Sequence, residues 1–144
     1  MGCEIFPLNT LHPYKYVVVL SFVGERILLS RHRDRNTWET QGGHVEAGET
    51  PLDAARRELW EESGATEYDL APLCDYRFPS RGPAEYSNGQ VFVAHIRALG
   101  TIPESEMAEV RAFDGLPENL TYPAITPYLF GAVLGVSPQT PPGE

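Results

Sequence analysis

The chain has 144 residues, 42% of them hydrophobic, and a formal net charge of −9 from 11 Lys and Arg against 20 Asp and Glu. That length suits one domain with a core of its own, and the ordinary apolar fraction excludes a disordered or fibrous chain. The acidic balance excludes a broad basic surface for a nucleic-acid polymer, yet it allows a small phosphorylated substrate whose charge a divalent cation neutralises.

Residues 1–13 contain Pro7 and Pro13 and read as irregular. Tyr16 to Val23 is a continuous run rich in β-branched residues, which predicts a buried strand. Gly24-Glu25 is a turn signal, and Arg26 to Ser30 reads as a returning strand. A polar, positively charged stretch follows, Arg31 to Arg35. Trp38 to Gln41 predicts a short strand ending at Gly42-Gly43. The clearest element is a helix over Pro51 to Ser63. Thr50 is its N-cap, Pro51 occupies its first position, Asp53 completes a capping-box pattern and Gly64 closes it. Leu73 to Phe78 predicts a strand, Pro79 to Gly89 a loop rich in Gly, Pro and Ser, and Val91 to Leu99 another strand. Glu104 to Glu109 reads as an acidic connector before a short strand, Val110 to Phe113, that ends at Leu116-Pro117. Ala124 to Leu134 predicts an apolar helix with Pro127 in its first turn. Ser137 to Glu144 carries three prolines and is expected to be disordered.

Cys3 and Cys74 form no CxxC pair, so neither a disulfide framework nor a zinc site is expected, and a reducing compartment is. The N-terminus lacks a basic, then apolar, leader pattern. Tyr16 to Val23 is too short to span a bilayer. The expected location is the cytoplasm, with no membrane partner.

The chemistry concentrates in the first helix. Glu58, Glu61 and Glu62 are spaced i, i+3, i+4, so they share one face. Leu52, Ala55 and Leu59 form a neighbouring apolar stripe that can bury the helix against a sheet. Three like charges this close repel one another, and Arg57, adjacent in sequence, is expected to point elsewhere. A hard divalent cation such as Mg²⁺ or Mn²⁺ relieves such repulsion, bridges phosphates and helps generate a hydroxide nucleophile. Gly42-Gly43 lets the backbone bend sharply and bring a carbonyl within reach of that cation.

The stretch from Gly43 through Glu49, Arg57, Glu58, Leu59, Glu61, Glu62 and Gly64 to Ala65 resembles the Nudix box, Gly-x5-Glu-x7-Arg-Glu-U-x-Glu-Glu-x-Gly-U, where U is bulky or aliphatic. Ala65 is a small residue in the last U position. The resemblance implies an α/β fold, the Nudix α/β/α sandwich with a central mixed sheet. It implies one domain over 1–144, with its core at about 14–136 and a tail at about 137–144. It implies Mg²⁺ or Mn²⁺ held by Glu58, Glu61 and Glu62 with the Gly43 carbonyl. Glu61 or Glu62 would activate the attacking water, while Glu49 and Arg57 would support the geometry of the loop and helix. A further acidic residue from a later loop often joins in this family, for which Glu106 and Glu109 are candidates. Gln41 stands where many relatives have proline.

Trp38-Glu39-Thr40-Gln41-Gly42-Gly43, Glu109 to Phe113 and Leu116 to Pro123 are similar to the bacterial MutT-like branch of 8-oxoguanine nucleotide triphosphatases. That likeness implies hydrolysis of a nucleoside triphosphate, oxidised or not, to monophosphate and pyrophosphate. ADP-ribose or a dinucleoside polyphosphate is the alternative substrate. A non-catalytic nucleotide-sensing module is a further alternative, although such modules commonly lose the box carboxylates present here. Arg31 and Arg33, with His32 and Arg35, are candidates for phosphate contacts. Tyr86 and Asn88, placed in a loop, are candidates for substrate specificity. Trp38, Tyr76, Phe78 and Phe92 read as core aromatics, and His44 alone is no metal site. The partner is a small nucleotide rather than a polymer. Both a monomer and a homodimer stay open.

Overall fold

A computed structural model describes residues 3–79 and 86–134. Its elements are β1 (Glu4–Phe6), β2 (Tyr16–Val23), β3 (Arg26–His32), β4 (Trp38–Glu39), β5 (Gln41–His44), α1 (Pro51–Ser63), β6 (Ala65–Pro79), β7 (Tyr86–Leu99), β8 (Met107–Phe113) and α2 (Thr126–Leu134). The strands form one mixed sheet in the order β1-β6-β7-β2-β3-β4, with β5 also paired to β2 and β8 to β3. β2 runs parallel to β7, and antiparallel to β3 and β5.

Two cores follow from the alternation of side chains along the strands. Val17, Val19 and Leu28 face α1 and pack with Ala54, Ala55 and Leu59. Leu20, Phe22, Ile27 and Leu29 face the other way and pack with Leu129 and Phe130 of α2. The sheet is thus the middle layer of an α/β/α sandwich. Leu59 is fully buried, and truncating it to alanine is expected to cost about 2–5 kcal/mol by loss of transfer energy and a residual cavity.

α1 spans the residues its caps announce. The Thr50 side chain accepts from the Asp53 N–H at 3.1 Å, and Gly64, at φ 78°, adopts the left-handed conformation of a C-cap. Other boundaries differ from the sequence reading. The expected strand Trp38 to Gln41 is broken at Thr40. β4 pairs with β3, whereas β5 pairs with the first half of β2, so β3 and β5 fork apart beside β2. The irregular N-terminus contains β1, which pairs with β6. β6 starts at Ala65, directly after the helix, and not at Leu73. Its first half carries Glu67 and Asp69 and is largely exposed, which hides the apolar signal, and its ladder shifts register between Pro72 and Cys74. β7 starts at Tyr86, so Tyr86 and Asn88 lie on a strand. β8 starts at Met107, so Glu109 lies on a strand as well. Residues 80–85 of the expected loop, and the tail 137–144, lie outside the described residues. Among the described residues, no helix is long and apolar enough to cross a membrane.

Candidate active site

The site is assembled where β5 crosses the C-terminal half of α1. The Gly42 N–H donates to Glu62 Oε1 at 2.9 Å. Gly42 has φ 156°, and a Cβ there would strike the Val17 carbonyl oxygen; a Cβ at Gly43 would strike the Glu58 carboxylate. The bare backbone at Gly42 lets β5 lie this close to β2, and Gly43 leaves room for the Glu58 carboxylate beside it.

Glu58 is 9% exposed. Burial raises its carboxyl above the ordinary value, against the nearby Arg57 guanidinium and with Glu61 adding to the rise. Burial pushes Glu62 up to about 9; the Gly42 N–H opposes the shift, while Glu58, Glu39 and Glu61 reinforce it. Two desolvated carboxylates with like-charged neighbours are held at one place. The donors are hard carboxylate oxygens beside a glycine backbone, a set that fits Mg²⁺ or Mn²⁺. The residues that could hold such an ion are Glu58, Glu61 and Glu62, with the Gly43 carbonyl. Among the described residues no three such side chains already converge on a common point.

Arg57 supplies the opposing positive charge. The expectation that it points away from the acidic face is incorrect. Its Nε and Nη2 donate to Glu49 Oε2 and Oε1 at 2.6 and 3.0 Å, and Nη2 also donates to the His44 carbonyl at 3.0 Å. Its Nη1 reaches Glu58 at 3.1 Å and Glu61 at 3.4 Å. The long side chain curls along the helix because Glu49 closes the preceding loop, where the Glu46 N–H donates to Glu49 Oε1 at 2.9 Å. The hydrogen bond from Arg57, joined by that N–H, brings the Glu49 carboxyl down to about 2.

Two cavities open from this place. One, of about 550 Å³, is lined by Gly43, Glu58, Glu61 and Glu62 together with half-exposed Trp60 and the segment Pro103 to Glu106. The other, of about 530 Å³, shares Gly42, Gly43, Glu62 and Glu106, and is walled by Tyr16, Tyr76, Phe78, Tyr122 and Leu129. Arg35 and Glu39 also face the second cavity and pair at 3.0 Å.

The remaining sequence candidates divide. Glu106 lines both cavities, and its carboxylate lies 3.9 Å from His32 Nε2. Glu109 lines neither; it binds Arg31 at 3.2 Å and Arg111 at 2.8 Å. Arg31 is thereby occupied, and its Nη1 also caps the Arg35 carbonyl at 3.1 Å. Arg33 is directed to the Ser105 carbonyl at 3.5 Å. Asn88 ties down the N-terminal segment through the Leu11 carbonyl at 3.0 Å, and the side chain of Tyr86 lies outside the described residues. Tyr76 and Phe78, read as core, line the second cavity, although Tyr76 is also buried. Glu39 had no assigned role. Its signal was the i, i+4 pair with Arg35 around Trp38, the one acidic residue in the stretch between the basic run and the glycine pair.

A family model described as the NUDIX domain matches residues 11–122. An RNA pyrophosphohydrolase of Bartonella henselae is 37% identical over 88 residues, covering 54% of this chain and 51% of the relative. A putative 8-oxo-dGTP diphosphatase of Bacillus subtilis is 34% identical over 110 residues, covering 74% of this chain and 66% of the relative. The chain spans about half the length, or less, of the first curated relatives it matches. A crystal structure of a Bacillus subtilis pyrophosphohydrolase superposes with a TM-score of 0.69 at 29% identity, covering 81% of this chain and 74% of that one.

Proposed function

The chain belongs to the NUDIX domain family, and on that premise we propose that it is a divalent-metal-dependent pyrophosphohydrolase of nucleoside diphosphate-linked substrates. The preferred substrate in this reading is a nucleoside triphosphate, with an intact or oxidised base, cut to monophosphate and pyrophosphate. The observation that carries it is the pair of desolvated carboxylates, Glu58 and Glu62, lodged under Gly42-Gly43 where an aromatic-walled cavity meets an acidic one. Glu58, Glu61 and Glu62 would hold Mg²⁺ or Mn²⁺, with the Gly43 carbonyl. The ion would neutralise substrate phosphates and lower the pKa of the attacking water. Glu62 or Glu61 would orient that water and accept its proton. Arg57 and Glu49 hold the loop and the carboxylate face in shape. Tyr16, Phe78 and Tyr122 offer ring faces to a base, with Arg35 and Glu39 as polar partners in the same cavity. Glu106 is the later acidic residue that faces the box, in preference to Glu109.

The triphosphorylated 5′ end of an RNA is a second reading, favoured by the names of the relatives from Bartonella henselae and, as a pyrophosphohydrolase, Bacillus subtilis. The net charge of −9 weighs against a long polymer groove, so only the terminal nucleotides would be bound. A panel of 8-oxo-dGTP, ordinary dNTPs, ADP-ribose, dinucleoside polyphosphates and a triphosphorylated oligoribonucleotide tests both readings. Pyrophosphate release that needs Mg²⁺ and stops with EDTA is expected for a triphosphate; turnover of none of these substrates would sink the proposal.

A further inference from the structure

We infer that Gln41 is a positioning residue for Glu62, acting with Ser21 and Ser30 through a buried hydrogen-bonded chain. This rests on the reading that Glu62 serves the reaction. Gln41 is fully buried, as are Ser21 and Ser30. It sits in the fork where β3 and β5 part company beside β2. Ser21 Oγ donates to Gln41 Oε1 at 2.6 Å. Gln41 Nε2 donates to the Leu28 carbonyl at 3.2 Å and to Ser30 Oγ at 2.9 Å. Ser30 Oγ then donates to the Glu62 carbonyl at 2.7 Å.

The proton directions in this chain admit one arrangement. Ser30 has one hydroxyl proton, given to Glu62, so it must accept from Gln41. Both amide hydrogens of Gln41 are used, and its oxygen takes the Ser21 proton. A flipped amide would set oxygen against the Leu28 carbonyl. The Glu62 carbonyl belongs to the last turn of α1, where no intrahelical N–H reaches it, so Ser30 supplies the missing donor. The next residue after Gln41 completes the hold, since the Gly42 N–H binds the carboxylate of the same glutamate. Glu62 is therefore held at its main chain by Ser30, which Gln41 orients, and at its side chain by the N–H of Gly42, the residue after Gln41. A proline at this position has no side-chain donor to reach Ser30 or Leu28.

The test uses Gln41→Leu, Ser30→Ala and Ser30→Thr in the full chain, each first shown to fold by circular dichroism. Gln41→Leu and Ser30→Ala should each lower kcat about tenfold, the rate equivalent of one misplaced hydrogen bond, with KM nearly constant. Ser30→Thr keeps the hydroxyl and should restore kcat. In metal-free ¹⁵N-labelled protein, the Gly42 amide resonance should move in Ser30→Ala and return in Ser30→Thr, whereas Gln41→Leu, which adjoins that amide, is read by kcat. A folded Gln41→Leu with unchanged kcat overturns the inference, as does a folded Ser30→Ala with an unmoved Gly42 resonance, and so does a loss confined to stability. Should Gln41→Leu fail to fold, Ser30→Ala decides by the same readouts, because it removes a single hydroxyl. Should the wild-type chain turn over no nucleotide, the functional reading fails, and the Gly42 resonance still decides the positioning.

Discussion

Just before α1, Glu49 is caught in two hydrogen bonds from Arg57 and one from the Glu46 N–H, and its carboxyl is held down at about 2. At the far end of the same helix, Glu62 is half-buried, receives one N–H from Gly42, and is pushed up to about 9 by desolvation, with Glu58, Glu39 and Glu61 adding to the rise. The residue type is the same and the two lie 13 positions apart, yet one charge is satisfied by the protein and the other is not. A satisfied carboxylate works as a strut. A desolvated one among like charges is costly to ionise without a cation beside it, which suits the metal-holding role proposed for it.

The contrast is most sharply tested by replacing Glu62. Glu62→Gln keeps the shape and an acceptor for the Gly42 N–H but removes the charge. It should cut kcat at least about a hundredfold, the order of effect seen when a metal-bound or water-activating carboxylate is lost. The metal-free variant should melt no lower than the wild type, because a carboxyl whose charged form burial disfavours is replaced by a neutral amide of the same shape. Steady-state kinetics and thermal melts in EDTA give both numbers, and an active variant would remove Glu62 from the proposed machinery.

Gly43→Ala probes the same end through shape. Its Cβ would meet the Glu58 carboxylate, so the carboxylate must move. Mg²⁺ activation should weaken by about tenfold or more, since misplacing a ligand costs at least about 1.4 kcal/mol in such sites. A magnesium titration of activity checks it, and an unchanged midpoint would mean that Glu58 is not a ligand.

The smallest effect belongs to the strut. The folded carboxyl of Glu49 lies below its ordinary 4.5, at about 2. Its contribution to stability is therefore complete above about pH 4.5 and is lost as pH falls toward about 2. Urea midpoints measured across that window should fall less steeply for Glu49→Gln than for the wild type, while kcat at neutral pH changes modestly. Equal slopes would show that the Glu49–Arg57 pair carries no net stability, as exposed ion pairs often do not.

Much of this site was legible along the chain. The helix limits could be read because caps act within four residues: Thr50, Asp53 and Gly64 each bond to near neighbours. The shared face of Glu58, Glu61 and Glu62 followed from helical periodicity. Arg57 was misread because a flexible side chain goes where its partners are, and Glu49 is placed by a loop rather than by helical spacing. The partners of Asn88, Arg31 and Glu109 were out of reach of the sequence for a related reason. Those partners, Leu11, Glu109 and Arg111, lie mostly far along the chain, and spacing does not show which polar groups are already satisfied.

The amino-acid sequence by itself determined the family and the carboxylate helix with both its caps, because capping and 3.6-residue periodicity act over a few neighbours. The tertiary structure alone decided that β4 and β5 part at Thr40, that Glu106 and not Glu109 faces the box, and that Gln41 plugs the fork beside Glu62. These are meetings of residues distant in the chain, set by strand pairing and by burial, and only the folded sheet brings them within hydrogen-bonding distance.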